Sequence, residues 1–175
     1  MRLTPIPTIV TLAVLLTGWS ALAAQDRSTL KVPDGLSLAE FKGYETWETV
    51  AVSQTKEDIK AIAANPEMIK AFKQGLPATG KTFPEGSRIV KLEWTPKENK
   101  VSPYPVTVPG KLDAIALIVK DSKRFPKTHG WAYALFKADP VTGELKPDGK
   151  GTECGYACHT KVAAQDYIYT AYPPR

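Results

Sequence analysis

The chain has 175 residues, with 23 Lys and Arg against 18 Asp and Glu and only two cysteines, so its net charge is +5. The basic residues are scattered among acids in runs such as KEDIK and KPDGK, with no basic stripe interleaved by aromatics, which argues against nucleic-acid binding. The length suits one domain with one core, and the mild basicity fits a solvated surface or an acidic partner.

The first 24 residues, MRLTPIPTIVTLAVLLTGWSALAA, carry Arg2, an apolar run from Ile9 to Leu16 and small residues at the end. This is the pattern of a secretory signal peptide cleaved near Ala23 or Ala24. Pro5, Pro7, Thr8, Thr11 and Thr17 keep the apolar run well below the ~18 residues that a membrane-spanning helix needs. The exported remainder, 25–175, would be one domain of net charge +4, with no membrane association after cleavage.

In LSLAEFKGYETW, Ser37 is placed to cap a short helix, and ETVAVSQ alternates as a strand does. NPEMIKAFKQG predicts a helix: Asn65 caps it, Pro66 takes the first position, Glu67 favours the positive end and Gly75 stops it. Its buried face would hold Met68, Ile69 and Phe72. PEGS turns the chain into a strand, SRIVKLEW, with Val90, Leu92 and Trp94 on one side and Ile89, Lys91 and Glu93 on the other. A lysine in mid-strand reads most simply as a solvent-facing residue of an edge strand.

Four prolines within 96–109 predict an irregular excursion. Two strands follow, LDAIALIVK and GWAYALFKA, each with one bulky side and one side carrying alanines, Ala114 and Ala116 in the first and Ala132 and Ala134 in the second. As neighbours, their alanine faces would form a shallow recess, suited to a flat aromatic ligand or to a tightly packed helix. DPVTGELKPDGKG is rich in turn residues, the segment from the cysteines through Ala163 reads as a helix, and DYIYTAYPPR reads as a final strand. The expected fold is α+β, mainly an antiparallel sheet with a few short helices.

The chemistry concentrates in ECGYACHTK, where Cys154 and Cys158 are four apart and His159 follows directly. Export favours a disulfide, but a bridge over so few residues closes a tiny loop and leaves His159 without a purpose. Zinc needs four ligands, and the only other histidine is His129, while adjacent Cys158 and His159 point apart. Covalent haem uses every residue: two thiols bond the vinyl groups and the histidine ligates iron, as in the C-x-x-C-H motif. The spacing here is one residue longer, and Gly155 would permit a bulge that absorbs it.

Taken in order, WETVAVSQT, NPEMIKAFKQG, FPEGSRIVKLEW, VKDSKRF, GWAYALF and ECGYACHTKVAAQDYIYT resemble the cytochrome P-460 family and its relative cytochrome c prime-beta, over roughly 41–172. The resemblance implies a periplasmic protein with one haem c, mostly antiparallel β and homodimeric. It implies thioethers at Cys154 and Cys158, iron ligation by His159, and a cross-link from Lys91 to a meso carbon of the haem. It also implies a small nitrogen ligand, hydroxylamine or nitric oxide, with the redox partner unspecified.

Two departures bear on activity. The family's haem motif has two residues between the cysteines, and the position of its distal carboxylate falls here on Ala116. Without that base, hydroxylamine oxidation should be slow, which favours a gas-binding protein without turnover. A simple electron-transfer cytochrome would need Met68 or His129 as a second iron ligand, although Met68 reads first as core and His129 as surface.

Overall fold

The computed structural model describes residues 25–78, 80–149 and 151–175; the signal-peptide expectation for 1–24 lies outside the described residues. Six strands form one antiparallel meander, each paired with the next in sequence: β1 (Glu48–Gln54), β2 (Ile59–Ala64), β3 (Arg88–Glu98), β4 (Thr107–Lys120), β5 (Trp131–Ala138) and β6 (Leu145–Asp148). Helix α1 (Pro66–Lys73) joins β2 to β3, and α2 (Thr152–His159) follows β6. The α+β class expected from the sequence is the one observed. Among the described residues no helix is long and apolar enough to cross a membrane.

Local signals account for α1. Asn65 accepts from the Met68 amide, and the same oxygen accepts from the Arg88 amide at 2.9 Å, so one side chain caps the helix and ties it to β3. Met68, Ile69 and Phe72 are buried against Val50, Ile89, Trp131 and Tyr133 on one face of the sheet. The other face buries Val90, Ile115, Leu117 and Val119 with Ala132, Ala134 and Phe136. It is covered by the N-terminal segment through Val32, Leu36 and Phe41, where Ser37 and Glu40 form a reciprocal cap on the single turn Leu38–Phe41.

The register corrects the expected recess. Ala116 pairs with Leu135, Leu117 with Ala134 and Val119 with Ala132, so the bulky row of each strand faces the alanines of the other. The two alanine sets therefore lie on opposite faces of the sheet. Large-against-small pairing packs both faces, and Ala116 remains as a low point in the cavity on the α1 side.

Four boundaries also differ from expectation. Strands β3 and β4 run well into 96–109, pairing Pro96 with Pro109. Neither β2 nor β5 reaches that far, so the hairpin is a free two-stranded ribbon there, and each proline gives up an N–H that has no strand to meet. β2 and β6 were not foreseen: IKAIAA shows little alternation, and LKPD holds a proline that only an edge strand tolerates. DYIYTAYPPR is no strand; it runs back over α1, with Ile168 buried and Tyr172 stacked on Phe72.

Candidate haem site

Helix α2 is docked on β5 by the polar groups that the short edge strand leaves over. β6 ends at Asp148, opposite Leu135, so the backbone of Tyr133 lies beyond its reach. The Thr152 hydroxyl oxygen accepts from the Tyr133 amide at 3.2 Å, and the hydroxyl donates to the Tyr133 carbonyl at 3.4 Å. Asp34 accepts from the Thr152 amide at 2.5 Å, which places a carboxylate at the positive end of α2. Gly155 then lies directly over Tyr133: a Cβ at this position would fall 2.3 Å from the tyrosine Cβ.

Within α2 the helix is unbroken from Thr152 to His159. No bulge occurs at Gly155, contrary to the sequence expectation; its role is the close approach to Tyr133. In a regular helix the three intervening residues put Cys154 and Cys158 one turn apart on the same face. Both cysteines are exposed and are not bridged to each other.

The α-helix stops at His159 rather than running to Ala163. A 3-10 segment, Thr160–Gln165, kinks at Val162, and Asp166 and Tyr167 adopt left-handed conformations that reverse the chain. The Tyr167 carbonyl thereby comes back to 2.5 Å from His159 Nδ1. A carbonyl only accepts, so Nδ1 carries the proton and the Nε2 lone pair is left for a metal. Burial lowers the pKa of His159, the Tyr167 carbonyl opposes that shift, and the Lys91 charge adds to it; the net shift is downward, toward the neutral imidazole that metals bind. The ring lies between Tyr133 at 4.6 Å and Tyr169 at 4.9 Å.

Between α2 and the sheet is a cavity of about 510 Å³, within the usual range for cofactor sites. It is lined by Cys154, Cys158 and His159 on one side and by Lys91, Glu93 and Ala116 on the other. Ladder pairing sets Ile62, Lys91, Ala116 and Leu135 in one row across four strands. Lys91 is therefore on an interior strand, and the reading of an edge-strand lysine is wrong. Its ammonium is 2.6 Å from Glu93 Oε1, and Lys60 approaches the other carboxylate oxygen at 3.7 Å.

Glu93, whose side chain is 12% exposed, is a cavity residue that sequence reasoning passed over as a site. The available signal was its position two residues after Lys91, which puts both on one face of the strand. Met68 and His129 are not brought to the cavity. Met68 is fully buried against α1's neighbours, and His129 is an exposed residue whose ring stacks on Tyr167 at 5.0 Å. Among the described residues, those lining the cavity include no methionine and no histidine but His159.

These residues fit a porphyrin on three counts. Two exposed thiols share a helix face, a half-buried imidazole has its Nδ1 proton fixed by a carbonyl, and the sheet wall offers Ile62, Ile89, Ala116, Ile118 and Leu135 to a flat apolar ring. A family model described as Cytochrome P460 matches residues 41–170. The chain belongs to the cytochrome P460 family. That span includes all six strands, α2 and the tail as far as Thr170, which closes the cavity. Membership makes this a c-type haem protein of that family. Among curated proteins, none matches the chain.

Proposed function

We propose that the chain is an exported, periplasmic mono-haem protein that binds small nitrogen species, nitric oxide or hydroxylamine, at an open iron site. Cys154 and Cys158 would each add S–H across one vinyl group, sulfur bonding to one carbon and the hydrogen going to the other. His159 would hold the iron through Nε2, and Lys91 is the residue for a cross-link to the ring. The haem, when bound, supplies the iron at which a small ligand is held and electrons are exchanged. One observation carries this reading: a single cavity gathers Cys154, Cys158, His159, Lys91 and Ala116 from α2, β3 and β4.

The protein's own part is selection. A wall of Ile62, Ile89, Ala116 and Leu135 offers a ligand no hydrogen bond and favours a small neutral molecule over a hydrated one. Binding without turnover is therefore the first reading. Hydroxylamine oxidation is the second, and Glu93 favours it, because it puts into the cavity a carboxylate of the kind that Ala116 does not supply. Simple electron transfer has less support, since Met68 and His129 both lie away from the cavity. A homodimer is part of the proposal, on the family resemblance alone.

The optical spectrum of the ferrous protein tests this. A Soret band displaced far to the red, lost on Lys91→Ala, is the expected sign of the cross-link; an ordinary five-coordinate spectrum supports gas binding with haem that is not cross-linked. Protein that is colourless after expression with the haem-attachment machinery, or whose mass shows both thiols unmodified, would overturn the reading.

A further inference from the structure

Behind the site is a buried charged cluster that the proposed chemistry does not use. Lys120 and Asp166 are 6% and 8% exposed. The lysine is 3.1 Å from Asp166 Oδ1, donates to the His129 carbonyl at 3.1 Å and lies 4.8 Å over the Trp131 ring. The carboxylate also accepts from the Phe83 amide at 2.7 Å and from Trp131 Nε1 at 3.2 Å. Apolar residues of similar size often replace such a pair with no loss of stability, so stability alone does not account for it.

We propose that Asp166 is a positioning residue for the His159 imidazole. Asp166 and Tyr167 are consecutive non-glycine residues with φ of 48° and 64°. That conformation persists only where the surroundings over-determine it. Here the Asp166 side chain is held from β4 by Lys120, from β5 by Trp131 and from the segment before β3 by Phe83.

The consequence of the turn is a direction: the next carbonyl, that of Tyr167, points back at His159 Nδ1. The Tyr167 ring is meanwhile held by His129 and by Tyr156 of α2, at 5.0 and 5.4 Å. Anchoring Asp166 thus fixes which imidazole nitrogen carries the proton and how the ring is turned. The partner one bond removed from the ligand is the Tyr167 carbonyl, and loss of such a partner typically alters metal affinity or activity by about 10–100-fold.

The inference rests on His159 being the iron ligand. The test is the iron–imidazole stretching band of the ferrous holoprotein, read by resonance Raman in the parent and in Asp166→Asn. The expected result is a shift to lower frequency with broadening, as the bond from Nδ1 to the Tyr167 carbonyl weakens and the ring is freed. A variant with lowered thermal stability and an unchanged band would overturn the inference, because a merely structural cluster moves the first and not the second. Should Asp166→Asn fail to fold, Trp131→Phe removes one anchor of the carboxylate while keeping the ion pair, and the same band decides. Absence of any iron–imidazole band from parent protein whose ferrous spectrum is five-coordinate would instead overturn the reading of His159 itself.

Discussion

Gly155→Ala tests whether α2 is seated on the sheet as described, and the sign of the result decides. In a free helix, alanine is better than glycine by about 1 kcal/mol. Here the new methyl carbon would fall 2.3 Å from Tyr133 Cβ and 2.5 Å from its Cγ, roughly 1.2 Å inside the ~3.5 Å of an ordinary carbon contact. Neither atom belongs to the flexible end of a side chain, so relief requires α2 to lift from β5. Overpacking of this kind costs about 1–3 kcal/mol, which outweighs the helical gain and leaves a net loss of about 1 kcal/mol. For a chain of this length the melting temperature should fall by about 2–4 °C. Haem content should fall with it, since α2 carries Cys154, Cys158 and His159. A melting temperature that rises, with haem content unchanged, would show that α2 does not rest on Tyr133.

Thr152→Val leaves the buried Tyr133 amide and carbonyl without their partner; a loss of about 2 kcal/mol is expected, seen as a drop of about 4–8 °C in thermal unfolding. Glu93→Gln keeps the shape of the side chain and removes its charge beside Lys91. Nitric oxide affinity should stay within a few-fold, because that ligand needs no proton acceptor, while any hydroxylamine oxidation should fall by about a hundredfold or more. The pKa of Glu48 is lowered by hydrogen bonds from Tyr172 and Lys73, so its contribution to folding is present above the unfolded carboxylate value and disappears as pH falls through the lowered one. The tail that carries Tyr172 and Arg175 should therefore loosen from β1 in acid, read as faster trimming by a carboxypeptidase, and Glu48→Gln should show the same loosening at neutral pH.

What could be read from the sequence was local. Asn65, Pro66 and Gly75 specify α1 through groups within one or two turns of each other, and ECGYACH places its own thiols and imidazole. β2 and β6 were missed because their stability comes from neighbours: β2 is held between β1 and β3, and β6 is a four-residue edge on β5. The same reason explains Glu93 and the recess. Alternation shows which residues share a face of one strand, but only register shows which faces of two strands coincide, and here Ala116 came to lie beside Leu135 instead of beside Ala134. Gly155 was singled out for the right residue and the wrong cause, since its close contact is with Tyr133, 22 positions earlier.

That register also explains why there is a cavity at all. On β4 the core face carries Ile115, Leu117 and Val119, while the other face carries Ala114, Ala116 and Ile118. A slip of one residue would exchange the two sets, filling the space over Lys91 with Ile115 or Leu117 and emptying the opposite core. The slip is opposed on both sides of β4, because Leu117 and Val119 are matched to Ala134 and Ala132 on β5 and to Val90 and Arg88 on β3. Core packing on the far face of the sheet therefore helps to hold the cavity open. On the proposed reading, a ligand beside Ala116 meets one methyl group there, with Lys91 as its cross-strand neighbour and Glu93 two residues further along β3. Its affinity then depends chiefly on the iron and its selection on size and polarity, so a neutral diatomic gas gains more from this wall than hydroxylamine does.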